Sequence, residues 1–209
     1  MNRILSSITL CLFFVGWTIA AESTWRAGVA AVRITPDEPI QMAGYGSRNH
    51  PAEATLSELS AKALVLDDAI GNRVVLLTLD LVGIHRDTAT RICRRLNEDY
   101  SLQRQQIAIN CSHTHTGPAV GKNLAPLHYM LSPPAMQAKL DAYESDLVEK
   151  LVVLVGNAIA QRHPCTVTHG TGMCSFAVNR RENVASDVPR QRAMGTLAGP
   201  YDHDVPVLA

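Results

Sequence analysis

Residues 74–81 (VVLLTLDL) constrain this chain more than any other stretch. The run is almost continuously apolar, as a strand covered on both faces is. Residues 62–67 (KALVLD) precede it, and Gly71-Asn72 lies between the two runs. That pairing predicts an antiparallel hairpin. Beyond it, Asp87 or Thr88 caps a helix whose Ala89, Ile92, Cys93 and Leu96 share one stripe. Residues 107–111 (IAINC) then read as the next strand. A strand, a helix and a further strand make a parallel crossover, right-handed by strong precedent. Both strands therefore end at one edge of the sheet, where open α/β sheets bind their ligands. Asp80 lies at one such end, and Ser112-His113-Thr114-His115 follows directly from the other.

The remaining segments fit around this unit. Residues 25–34 (WRAGVAAVRI) form a short strand closed by Thr35-Pro36-Asp37. Residues 42–46 (MAGYG) make a loop whose glycines permit close backbone approach. After a Gly-, Pro- and Asn-rich loop at 117–134, residues 135–162 carry Leu140, Tyr143, Leu147, Leu151, Leu154, Ala158 and Ile159 at three- and four-residue steps. That is an amphipathic helix, ended by His163-Pro164. Residues 166–169 read as a short strand, 179–192 as a polar, arginine-rich stretch, and 204–209 (DVPVLA) as a strand just beginning. That last feature is expected of a chain cut short within a domain, the alternative being an edge strand at a natural terminus. The fold class is α/β, a mixed β-sheet flanked by helices.

The first 21 residues stand apart. Arg3 precedes an apolar block at 8–19 (ITLCLFFVGWTI), and the small residues Ala20 and Ala21 follow. This is the order of a secretory signal peptide, 1–21, with residues 22–209 as the exported part. The alternative is a membrane anchor, for which the block is short. No later segment is long and apolar enough to span a membrane. Export permits disulfides, and Cys165 and Cys174 are placed to pair; buried free thiols are the other reading. Lysine plus arginine and aspartate plus glutamate both number 19, so no single-signed field recruits nucleic acid. Aromatic residues make up 5%, too few for a base-stacking platform. The expected partner is a small or apolar molecule, or another protein.

Chemistry concentrates in Ser112 to Pro118 (SHTHTGP). Two histidines two apart in an extended segment point to the same side, about 6.5–7 Å apart. Both can reach one metal ion, or one binds it while the other faces the substrate. Neutral imidazole is a good zinc ligand and usually donates its other N–H to a carboxylate or carbonyl. Asp80 is placed to accept it.

SHTHTGP directly after IAINC resembles the histidine motif of neutral, non-lysosomal ceramidases. GVAAVRITP, MAGYG, KALVLDD, VVLLTLDLVG, FAVNR (176–180) and DHDVPVL (202–208) resemble segments of that family in the same order. The resemblance implies zinc-dependent hydrolysis of the amide bond of ceramide, a lipid amide, to sphingosine and fatty acid. It implies that His113 is a zinc ligand and that His115 lies beside the metal and takes part in catalysis or substrate contact. Arg180 matches an arginine at the reacting centre, where a cation stabilises an oxyanion. The implied mechanism is carbonyl polarisation with activation of a zinc-bound water, His115 carrying protons. The family's other zinc ligands fall beyond the strand that begins at Asp204. Catalytic zinc generally takes three protein ligands, and this chain offers His113 with His115, Asp80 and His85 as further candidate donors. The 209-residue chain alone is therefore expected to turn over little. Two other readings stay open, an exported metal-dependent hydrolase of another ester or amide and an inactive truncated remnant.

Overall fold

The computed structural model describes residues 24–209, so the signal peptide read in 1–21 lies outside the described residues. Five strands form the main sheet: β1 (Trp25–Arg33), β2 (Ser60–Asp67), β3 (Arg73–Leu79), β4 (Ile107–Cys111) and β5 (His163–Cys165), in the order β4-β3-β2-β1-β5. β1, β2 and β3 run antiparallel in turn, β4 lies parallel to β3, and β5 is antiparallel to β1. The sheet is thus mixed, and its one parallel pair is the pair joined by the helical crossover.

Helix α1 (Arg86–Tyr100) makes that crossover, burying Thr88, Ile92, Cys93 and Leu96. Its cap lies two residues before Asp87, the nearer of the two expected caps: His85 is the N-cap, and its Nδ1 accepts from the Asp87 N–H. The expected cap Thr88 is instead wholly buried and donates to Glu144 Oε1 at 2.5 Å. A side chain committed to an interhelical bond cannot turn back to cap its own helix. α2 (Pro134–Ala160) begins at a proline, which lacks the N–H that a first helical turn would leave unpaired anyway. It packs along β1, β2 and α1. It approaches β1 closely at Gly28, where a Cβ would run into the Ala158 carbonyl.

One face of the sheet supplies the core. Gly28, Val65 and Val75 form one row across β1, β2 and β3, and Ala63 lies level with Leu77. All of these are buried beneath the helices with Ile92, Leu96, Leu147 and Leu151. The opposite face departs from expectation. Val29, Leu64 and Leu76 are level with one another, and Val29 and Leu76 are 63% and 40% exposed. Among the described residues β3 is therefore covered on one face only, because α1 and α2 lie on the same side. Its Leu and Val run reports apolar character without saying what lies above it.

The strand expected at 166–169 is displaced. β5 lies before it and β6 (His169–Met173) after it, and 166–168 connect the two. Pro164 sits on the edge strand β5 opposite Arg26, where a missing N–H interrupts no ladder. β6 pairs with β7 (Asp204–Leu208) in a separate exposed ribbon. The arginine-rich stretch contains a short helix, α3 (Val188–Met194), ended by Gly195. Cys93, Cys111 and Cys174 hold free thiols, so a Cys165–Cys174 bridge is not formed. Among the described residues, no helix is long and apolar enough to cross a membrane.

Candidate functional site

The parallel pairing of β3 and β4 continues past both strand ends. Ser112 N–H donates to the Leu79 carbonyl and His113 N–H to the Leu81 carbonyl, each at 3.0 Å. The backbone then turns sharply, His113 taking a left-handed φ of 59°. The extended geometry expected for His-Thr-His is therefore broken at its first histidine. The two rings still meet, with centroids 5.0 Å apart at an interplanar angle of 67°.

His113 Nδ1 lies 2.8 Å from the Val82 carbonyl oxygen. A carbonyl only accepts, so Nδ1 carries the proton and the lone pair of the neutral ring is on Nε2. The side chain is exposed, which leaves Nε2 open to a ligand. This is the arrangement of a ligating histidine oriented by an outer acceptor. The acceptor is the Val82 carbonyl; Asp80, expected in that role, is used elsewhere. Its Oδ2 accepts from Ser60 N–H at 2.9 Å, while its own N–H donates to the Ser60 carbonyl, locking β2 to the end of β3. His85, a further candidate donor, is occupied as the α1 cap. Burial raises the Cys111 thiol above its usual range, so the cysteine beside the motif is a protonated core residue.

His115 is held from outside the motif. Gln41 to Ala43 runs antiparallel to Gly117 to Ala119: Ala43 N–H donates to the Gly117 carbonyl at 3.0 Å, and Ala119 N–H to the Gln41 carbonyl at 2.8 Å. This pairing brings MAGYG against SHTHTGP. Gly44, at φ 109°, lies so close that a Cβ would sit 2.5 Å from His115 Cγ. Tyr45 meets the His115 ring edge-on at 4.8 Å. Arg48 closes the loop by donating to the Ala43 carbonyl at 2.6 Å, and its guanidinium lies 4.9 Å from the Tyr45 ring centre. Beside Pro118 a groove of about 740 Å³ opens, floored by Ile40, Met42 and Leu59 and bordered by Arg48 and His50.

Arg180 stands apart. It is exposed, in a turn anchored by Asn179, whose Oδ1 accepts from the Arg181 and Glu182 N–H groups. Among the described residues, no hydrogen bond or ion pair joins it to either histidine. Two residues of the site escaped sequence reasoning, Arg48 and the buried His128, whose Nε2 lies 3.2 Å from Gly44 N. Neither belongs to a periodic pattern. The one available signal was a histidine set among Leu127, Tyr129 and Met130 just downstream of the motif.

A zinc ion would find one prepared ligand here, His113. Among the described residues, no group of three or more histidine, cysteine or acidic side chains is placed to hold a metal. The segment thus fits a part of a metal centre and not a whole one.

A mixed α/β sheet that delivers a pair of imidazoles from its parallel strand ends, with a glycine turn folded over them, defines a scaffold class. The sequence profile of neutral/alkaline non-lysosomal ceramidases, N-terminal part, matches residues 25–190, and the chain belongs to that family. It is 31% identical over 112 residues to neutral ceramidase 2 of Arabidopsis thaliana, covering 52% of this chain and 14% of that protein. It is 29% identical over 103 residues to a neutral ceramidase of Drosophila pseudoobscura pseudoobscura, covering 47% and 14%. The fold matches the crystal structure of neutral ceramidase from Pseudomonas aeruginosa with a TM-score of 0.68 at 22% identity, over 90% of this chain and 29% of that one. The matched region is thus a small part of the length of these relatives.

Proposed function

We propose that this chain is the N-terminal part of an exported, zinc-dependent amide hydrolase that cleaves ceramide to sphingosine and a fatty acid. The family match across residues 25–190 supports this reading. The single observation that carries it is the bond from His113 Nδ1 to the Val82 carbonyl, which presents Nε2 outward as a neutral donor. His113 is the zinc ligand contributed by this segment, and the other ligands come from outside the described residues. Bound zinc supplies Lewis-acid polarisation of the amide carbonyl.

The chain's own residues contribute orientation and proton handling. His115, fixed between Gly44, Tyr45 and the His113 ring, takes a proton from the attacking water and delivers one to the leaving amine. Arg180 stabilises the oxyanion, a role that rests on its match to the family's Asn-Arg segment. Residues 1–21 direct export and are removed.

The test is zinc content and fatty-acid release from ceramide by the gene product that carries this segment, compared with His113→Ala. About one zinc per chain with hydrolysis, both lost in the variant, is the expected result. Hydrolysis of simple esters or other amides without ceramide cleavage would replace the substrate while keeping the chemistry. Zinc and activity unchanged in the variant would sink the proposal.

A further inference from the structure

We propose that His128 is a positioning residue for His115, acting through the Gly44 peptide; this rests on the reading of His115 as a proton carrier. His128 lies in the loop between the histidine motif and α2 and is 1% exposed. Its Nε2 faces Gly44 N at 3.2 Å. A backbone N–H only donates, so Nε2 is the acceptor and the ring proton sits on Nδ1. Among the described residues, Nδ1 has no hydrogen-bond partner. A buried N–H left without a partner costs about 1–3 kcal/mol. Burial, reinforced by the cationic Arg48, pushes the His128 pKa down, in keeping with the neutral form that an acceptor Nε2 requires.

What Nε2 holds is a peptide that abuts His115. Gly44 has no room for a Cβ against the His115 ring, and Tyr45, the next residue, touches the ring edge-on. A tilt of the Gly44 peptide therefore moves the surface on which His115 rests. His128 is itself anchored at the start of α2. The Ser132 hydroxyl donates to its carbonyl at 2.8 Å, and Gln137 Nε2 donates to the Tyr129 and Ser132 carbonyls, each at 3.0 Å. The long helix thus sets the orientation of a ring on the far side of the loop, through one imidazole.

The side-chain contrast makes this testable. Gln at position 128 can place an acceptor where Nε2 is; Phe keeps the ring volume with no acceptor; Asn carries its polar atoms near Nδ1 and stops short of Gly44. His115 ring resonances would be recorded by NMR in His128→Phe, His128→Gln and His128→Asn forms of the 209-residue chain, with circular dichroism to confirm folding. His115 signals are expected to shift in Phe and Asn and to stay near wild type in Gln. In the full gene product, kcat on ceramide should fall about tenfold or more in Phe and Asn, since small misplacements of a reacting group cost that much. KM and zinc content should hold, and Gln should recover most of the activity. If Phe does not fold, the Gln and Asn pair carries the same contrast. His115 signals and kcat that respond alike to Gln and Asn, or that ignore all three changes, overturn the proposal. Absence of ceramide hydrolysis in the wild type would instead count against the assigned function, and the NMR comparison would still decide the coupling.

Discussion

Gly44→Ala is the perturbation that reports most directly on how the site is assembled. Two costs add at this position. The backbone φ of 109° is one that L residues rarely adopt, and holding alanine there costs about 1–3 kcal/mol. The new methyl would also sit 2.5 Å from His115 Cγ and 2.9 Å from its Cα. Relieving such an overlap in a packed region costs about 1–3 kcal/mol more. The sum, about 2–6 kcal/mol, is a large share of the 5–15 kcal/mol that holds a typical domain together. Gly71 supplies the control. It also has a positive φ, 88°, yet a Cβ there meets nothing within 4 Å. Gly71→Ala should therefore pay only the backbone cost, about 1–2 kcal/mol. Urea unfolding of both variants, with His115 NMR signals recorded in each, separates the contributions. Gly44→Ala should be the less stable of the two by about 1–3 kcal/mol and should alone displace the His115 signals. Equal destabilisation with His115 unmoved would refute the claim that this glycine is required by the histidine beneath it.

Three further outcomes follow from the same physics. Leu77→Ala should cost about 2–5 kcal/mol of unfolding free energy because Leu77 is wholly buried. Leu76→Ala, one residue away on the open face, should cost far less, and denaturant titration of both checks the assigned register. Asp80→Ala should lower the thermal midpoint, because it leaves the Ser60 N–H without its acceptor at a cost of about 1–3 kcal/mol; zinc content of the full gene product should be unaffected. Asp67 is paired with Arg73 through two bonds of 2.7 and 3.0 Å, and that hydrogen bonding, chiefly, holds its pKa below the usual carboxylate value. A depressed folded value stabilises above the unfolded pKa of about 3.9 and loses that contribution as pH falls through the folded value. Asp67→Asn should therefore flatten the acid limb of the stability profile below about pH 4 while lowering stability at neutral pH.

The parts of the fold that a sequence can announce are those with a period or a punctuation mark. Gly71-Asn72 between two apolar runs announced the β2–β3 hairpin, and the stripe Ile92, Cys93, Leu96 announced α1. Together they place His113 at a sheet edge. The pairing of residues 41–43 with 117–119 had no such mark. It joins segments more than seventy positions apart through backbone groups, which every residue type carries alike. His128 and Arg48 were hidden for the same reason, since their roles depend on which loop folds over which. The bare face of the sheet shows a second limit. Val29, Leu64 and Leu76 are as apolar as the core, and only the placement of both helices on one side reveals that they are open. α3 escaped because it is short, polar and without a buried stripe.

The left-handed φ of 59° at His113 carries a consequence for how this site is held in the chain. A residue with a Cβ costs about 1–2 kcal/mol in that conformation, and glycine avoids the cost. Stability alone would favour glycine where the imidazole stands, so under the proposed role of His113 the position trades foldedness for chemistry. It follows that His113→Gly should be the more stable of the two imidazole deletions, with His113→Ala retaining the strain and losing the ring. The glycine form would keep the path of the chain and leave an imidazole-shaped vacancy in front of the Val82 carbonyl. Free imidazole added to that variant should occupy the vacancy and restore function in proportion to its concentration.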